Sequence, residues 1–342
     1  MKSYKIGTLD FTMAVAVFLL GTSVIVIPVL GVSEQDMWVA GILGIVSGVG
    51  YAFFLSLCKV QGHHPLARII LSIYSLHLAA FVTSDITEIL TQTTLPNTPG
   101  LLISTIMVLL AAYAAFYGIE VIFRLAGLFL AVSFIVGVLL IIMSAPEMKF
   151  QHLQPVLNHS AGVIVKDAIP FISFPFLELV VFLPLLKSVE NQRKALVGGV
   201  LIGGTLLVLI LFLIVLVLPP EQIKNYYTPA LMVIDSIPTG NIMKAVTVVV
   251  WVQTTFFKLA VLHYIVPGQL GETFNLDYRK IVLPISILII SFSNLGFENS
   301  VEKFFFNFKI YPFYAIPIQI GIPLSFIIAN RISKSPSPAK CK

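Results

Sequence analysis

Pro170-Phe171-Ile172-Ser173-Phe174-Pro175-Phe176-Leu177-Glu178 lies inside an apolar segment long enough to cross a membrane. Its two prolines each lack an N–H and crowd the preceding turn, so a continuous helix is not expected. A carboxylate follows three residues after the second proline. Non-helical backbone at membrane depth is tolerated only where protein buries it or where it lines a cavity. An intramembrane carboxylate is costly and marks a functional hypothesis. The stretch is therefore read as one wall of a ligand site.

The rest of the chain supports a membrane reading. Of 342 residues, 58% are hydrophobic and 11% charged, against roughly 25% charged in a soluble domain. Mean hydropathy is +0.98. The apolar runs are near 20 residues, which suits helices rather than barrel strands. The net charge of +5 does not imply a nucleic-acid partner, because the basic residues sit in short loops where they set topology. The run Phe11–Val32 is read as a first span rather than a cleavable signal. Cys58 and Cys341 both fall at expected cytoplasmic positions, so no disulfide is expected.

Ten spans are expected, at about 11–31, 38–58, 69–91, 99–118, 122–144, 162–186, 195–218, 243–268, 281–297 and 312–330. The third is interrupted by Asp85 and Glu88. Fourteen Lys and Arg fall on one side of this topology and six on the other, with Lys258 inside a span. Both termini lie on the richer side, which the positive-inside rule makes cytoplasmic. The chain is read as one transmembrane domain, 1–332, followed by a disordered cytoplasmic tail, 333–342. The longer loops at 145–161 and 219–242 are read as helix links or partner contacts.

Gly21-Thr22-Ser23 interrupts the first span, with Pro28 beyond it. Spans 1 and 6 open the two halves of a ten-span chain, and interrupted segments at matching positions point to a transporter-type binding site. Five spans per half is odd, so the second half enters from the opposite face. The expected architecture is an all-α integral membrane protein with five-plus-five inverted repeats, about 6–145 and 160–332, and broken helices 1 and 6. Helix packing is the alternative use of these glycines and prolines.

Several local sequences carry a resemblance. Phe176-Leu177-Glu178 after the break is followed by Lys187 and Arg193-Lys194. Leu95-Pro96-Asn97-Thr98-Pro99 precedes span 4. Ala111-Ala112-Tyr113-Ala114-Ala115 leads to Gly118-Ile119-Glu120-Val121-Ile122 and Arg124-Leu125-Ala126, and Gln35-Asp36-Met37-Trp38 follows the first break. The chain resembles the B subunit of spore-germination nutrient receptors, in the amino acid–polyamine–organocation superfamily. The resemblance implies a leucine-transporter-type fold and a small nutrient ligand, such as an amino acid. It also implies an A-type membrane subunit and a C-type lipoprotein as partners in the spore inner membrane, with signalling rather than bulk uptake as output. Two features depart from that pattern: span 3 reads short, and Gly127 stands where an acidic residue is common.

Unwound backbone offers free N–H and C=O groups to a zwitterion, and half-helix N-termini favour carboxylates. Gly21, Thr22, Ser23, Phe171, Ser173 and Phe174 are the first ligand-binding candidates. Thr254 and Thr255 are candidates to coordinate a cation or ligand, or to bond between helices. Glu178 and Lys258 are expected to pair, either for proton coupling and gating or as a structural tie, with Glu178 lying apart from the ligand cradle. Asp85 and Glu88 share a helix face and form either a cation vestibule or a solvated helix end. His77 and His263 are read as proton relays or packing residues. No nucleotide loop, zinc arrangement or catalytic triad is found, so neither cofactor nor enzyme activity is expected. A stand-alone proton-coupled amino-acid permease is the rival reading.

Overall fold

The computed structural model describes residues 5–26, 33–58, 65–223, 226 and 228–333. It is helical throughout: α1 (Thr8–Val26), α2 (Met37–Ser56), α3 (Pro65–Thr93), α4 (Gly100–Tyr117), α5 (Ile119–Ser144), α6 (Ala161–Phe171), α7 (Gln192–Val217), α8 (Pro220–Ile223), α9 (Pro229–Asp235), α10 (Gly240–Phe274), α11 (Tyr278–Leu295), α12 (Ser300–Phe305) and α13 (Tyr311–Ser333). Among the described residues nine helical segments are long and apolar enough to cross a membrane, and α1 adds a further apolar helix. The chain is a multi-pass membrane protein. Its outward faces are apolar, as at the exposed Leu128, Phe134, Ile135 and Ile142 of α5, which suits lipid and would be an aggregation liability in water.

Local chemistry sets several boundaries. Gly118 separates α4 from α5 at a φ of +104°, a conformation glycine reaches without a side-chain clash. Asn191 caps α7 by accepting from the Lys194 N–H, and Asp277 caps α11 by accepting from the Arg279 N–H.

The interrupted span is the organising element. After Phe171 the backbone opens into a wide π-type turn, Ile172–Phe176, then resumes as a tighter 3₁₀ segment, Leu177–Ser188. Phe174 is extended, with φ −141° and ψ 104°, and the Phe174–Pro175 peptide is cis. This span is the most enclosed, with 72% of its apolar window buried, whereas the α5 span is 11% buried and lies at the lipid face. The end of the 3₁₀ segment is tied to the chain start, where the Ile6 N–H donates to the Ser188 carbonyl at 2.8 Å.

α1 packs on α7, α10 and α5, and α3 packs on α10 and α11. Glycine permits the closest of these approaches. A Cβ at Gly203 of α7 would stand 2.9 Å from the Ala16 carbonyl of α1, so only a missing side chain lets these helices meet.

Two expectations are corrected here, and the two longer loops prove to be structured. α1 stays helical through Gly21-Thr22-Ser23, so the first span is not interrupted at those residues; Pro28 and the rest of 27–32 lie outside the described residues. The third span is not short: α3 runs for 29 residues. The loops at 145–161 and 219–242 carry short helical turns and are fastened to the bundle. Asp36, fully buried, accepts from the backbone N–H groups of Leu157 at 2.8 Å and His159 at 3.2 Å. His63-His64, Tyr227, Cys341 and the tail beyond Ser333 lie outside the described residues.

Candidate functional site

The break in the sixth span is wired to four other helices. Glu178 sits in the first turn of the 3₁₀ segment and is fully buried. An acidic residue in the first turn of a helical segment also complements the N–H groups exposed there. Its Oε2 lies 2.5 Å from Nζ of Lys258 on α10, and its Oε1 accepts from the hydroxyl of Tyr311 on α13 at 2.8 Å. An isolated charge at membrane depth costs at least about 2.5–3.5 kcal/mol, and here each charge meets its opposite. The ammonium also lies over the rings of Phe18 and Phe174, with centroids 4.8 and 4.9 Å from Nζ. Two aromatic faces add cation–π attraction in a site that excludes water.

The network continues in one direction. A carboxylate only accepts, so the Tyr311 hydroxyl donates its hydrogen bond to Glu178. The Tyr74 hydroxyl, 2.8 Å from that of Tyr311, therefore donates to it. Gln319 Nε2 donates both to Tyr74 at 2.8 Å and to the Ser173 carbonyl at 2.8 Å. The Tyr51 hydroxyl of α2 donates to the Gln319 carbonyl at 2.5 Å. The Ser173 carbonyl is a backbone group at the wide turn, and a side chain of α13 takes it up. α2, α3, α10, α13 and both sides of the break thus share one chain of hydrogen bonds.

The sequence candidates distribute unevenly around this network. Ser173, Phe174, Glu178 and Lys258 come together. Glu178 is not apart from the break, as sequence reasoning separated it; Tyr311, Tyr74 and Gln319 connect the two. Phe171 points elsewhere and stacks edge-on against Phe176, near Gly44 of α2. Gly21 faces α10, where an added Cβ would stand 2.6 Å from the Thr254 carbonyl. That contact makes it a close-approach glycine. The side chains of Thr22 and Ser23 lie outside the described residues. The hydroxyls of Thr254 and Thr255 both turn back to the Trp251 carbonyl, at 2.9 and 2.8 Å, so they serve their own helix.

Asp85 and Glu88 are neither an open vestibule nor a solvated helix end. Lys303 of α12 reaches into α3 and places Nζ 2.5 Å from Asp85 and 3.0 Å from Glu88, with Asp85 1% and Lys303 2% exposed. The same ammonium stands 5.5 Å from the Phe81 ring, which stacks on Tyr311. The second ion pair thus rests on aromatic rings that also border the first. His77 meets the Tyr314 hydroxyl, and His263 Nε2 meets Ser286 and the Val282 carbonyl; His263 Nδ1 is buried without a hydrogen-bond partner among the described residues.

Sequence reasoning missed Tyr74, Tyr311, Gln319 and the inward reach of Lys303. The available signal was the placement of Gln319 and two tyrosines within apolar spans, where neutral polar groups need internal partners.

Comparison with known proteins follows the same lines. A family described as spore germination protein matches residues 5–301. The putative spore germination protein YfkT of Bacillus subtilis is 25% identical over 331 residues, covering 91% of each chain. Spore germination protein KB of the same organism is 22% identical over 358 residues, covering 96% of this chain and 95% of its own. Among solved structures, the nucleobase-cation-symport-1 family transporter Mhp1, closed with bromovinylhydantoin bound, superposes with a TM-score of 0.70 at 14% identity, over 96% of this chain and 80% of that one. MhsT in complex with L-phenylalanine gives 0.65 at 12% identity, over 94% and 98%. These likenesses assign the leucine-transporter-type fold, of five-plus-five helices.

Proposed function

The chain belongs to the spore germination protein family, and from that premise we propose that it is the nutrient-sensing membrane subunit of a germination receptor, with an amino acid as ligand. It acts with an A-type membrane subunit and a C-type lipoprotein in the spore inner membrane, both termini cytoplasmic. Repeats at about 6–145 and 160–332 pack as one transmembrane domain.

The observation that carries this reading is the wiring of the break. The carbonyl of Ser173 and the carboxylate of Glu178 flank the extended Phe174; Gln319 of α13 holds the first, and Lys258 of α10 and Tyr311 of α13 hold the second. A zwitterion entering beside Phe174 competes for those same groups. Its ammonium draws on Glu178 and the freed carbonyl of Ser173, and its carboxylate draws on N–H groups at the turn. Gly21, Phe171, Thr254 and Thr255 shape the surrounding helices rather than touch the ligand. Asp85 acts on gating through Lys303. Displacing Gln319 re-registers α13 and α3 against the broken span, and a ligand that prefers the displaced arrangement shifts the population toward it. A solved fold neighbour holds L-phenylalanine, which makes apolar amino acids the first to try.

The test is thermal stability of the purified protein across amino acids and sugars, since a native-state binder stabilises by mass action. At least one amino acid is expected to raise the melting temperature in parent protein and not in Phe174→Ala. No shift from any nutrient would remove ligand binding from this chain. The transporter fold also favours a second reading, a stand-alone proton-coupled permease. Substrate accumulation driven by a pH gradient in liposomes containing this chain alone would establish it.

A further inference from the structure

Away from the charged network, a cavity of about 130 Å³ lies where α1, α5, α7, α9 and α10 converge. Leu20, Ile141 and Leu213 give it an apolar wall. Two of its lining residues are different. Thr247 and Trp251 stand four apart, on one face of α10, and are 6% and 2% exposed. Neither Thr247 Oγ1 nor Trp251 Nε1 has a hydrogen-bond partner among the described residues. Indole N–H is a donor only, and a threonine hydroxyl can donate. The cavity thus pairs an apolar wall with two buried donors that lack an acceptor among the described residues.

Its size and opening narrow the occupant. An apolar protein cavity of about 150 Å³ is large enough to take benzene. The rim includes Phe134 and Ile141 of α5, which are 56% and 37% exposed on the lipid-facing side. Entry is therefore from the bilayer, which excludes sugars and zwitterions. A lipid tail fits the wall but brings no acceptor to Trp251.

We propose that this cavity binds a small, largely apolar molecule, about the size of benzene, that carries one hydrogen-bond acceptor and partitions from the bilayer. Its oxygen accepts from Trp251 Nε1 and Thr247 Oγ1, and its hydrocarbon part packs against Leu20. The occupant touches α1 one residue before Gly21, at the seam with α10. The site is separate from the Glu178 network and does not depend on nutrient sensing.

The experiment uses the full chain with Trp38→Phe, which leaves Trp251 as its single tryptophan. Acetophenone, a benzene ring with one carbonyl, is expected to change Trp251 fluorescence saturably. Ethylbenzene, which lacks the acceptor, is expected to bind at least tenfold more weakly. Thr247→Val should narrow that gap. Gly137→Leu should abolish saturable binding with an unchanged melting temperature, because a Cβ there meets nothing within 4 Å and the side chain extends along the cavity lining. Equal affinity for the two probes, or an undiminished response in both variants, would overturn the proposal. So would quenching of Trp251 by a phosphatidylcholine with brominated tails that acetophenone does not relieve; that result assigns the space to lipid.

Discussion

Lys258 Nζ lies 2.5 Å from Glu178 Oε2, and both side chains are fully buried. Removing one partner of such a pair leaves an uncompensated charge, at about 3–5 kcal/mol, whereas replacing both by neutral groups is often close to neutral. Lys258→Met and Glu178→Gln alone are each expected to lower the melting temperature sharply. The double variant is expected to recover most of that loss. Melting in detergent checks this, and losses that simply add would show that the two residues do not form a pair in the folded protein.

Tyr311 supplies the second bond to Glu178. A hydrogen bond to a charged group contributes about 1.5–3 kcal/mol. Tyr311→Phe should destabilise by that order and leave Tyr74 without its acceptor. Tyr74→Phe added to Tyr311→Phe should therefore cost less than the two separate losses combined, since residues in one network couple. A double-mutant cycle measures the coupling, and full additivity would break the chain from Gln319 to Glu178.

Lys303 closes the far end of α3 by holding Asp85 and Glu88. Lys303→Ala leaves two carboxylates on one face with no cation between them. That end of the bundle should open. A cysteine at Ser84, whose hydroxyl accepts from Lys303 at 3.2 Å, is expected to react with maleimide several-fold faster in the Lys303→Ala background. Equal rates would mean that the lysine holds nothing shut.

The position of the break is legible in the sequence because proline acts locally, through a missing N–H and a ring. The Glu178–Lys258 pair is legible because a bilayer penalises any single charge. Tyr74, Tyr311 and Gln319 give no comparable warning. Neutral groups are tolerated in many places, and their partners depend on how α3 and α13 stack, which is a non-local fact. Lys303 lies beyond the apolar runs and reads as a loop charge, although α12 carries it back into the bundle. Gly21-Thr22-Ser23 has weak helix propensity, yet packing against α10 holds it helical; tertiary context overrides propensity.

Cys58 follows α2 and is buried, its thiol near the carbonyls of Phe54 and Pro323. Burial pushes the thiol up to about 11. Since the thiolate is the nucleophile, only about one part in a thousand is reactive at pH 8. In a Cys341→Ser background, labelling of the folded protein should be slow and should rise roughly tenfold per pH unit. Unfolding should make it prompt. Fast labelling at pH 7 would mean that the end of α2 does not dock on α13.

Gly21 faces a backbone carbonyl, which cannot swing aside as a side-chain tip can. A Cβ there would stand 2.6 Å from the Thr254 carbonyl and 3.0 Å from the Lys258 Cβ. Overpacking of this kind costs about 1–3 kcal/mol, so Gly21→Ala should lower the melting temperature. The strain falls beside Lys258 and so displaces its ammonium from Glu178 as α1 and α10 part. In the double variant Glu178→Gln/Lys258→Met that second loss has already occurred. Gly21→Ala should therefore destabilise the double variant less than it destabilises the parent. An identical loss in both backgrounds would show that the glycine only spaces the helices and has no influence on the ion pair.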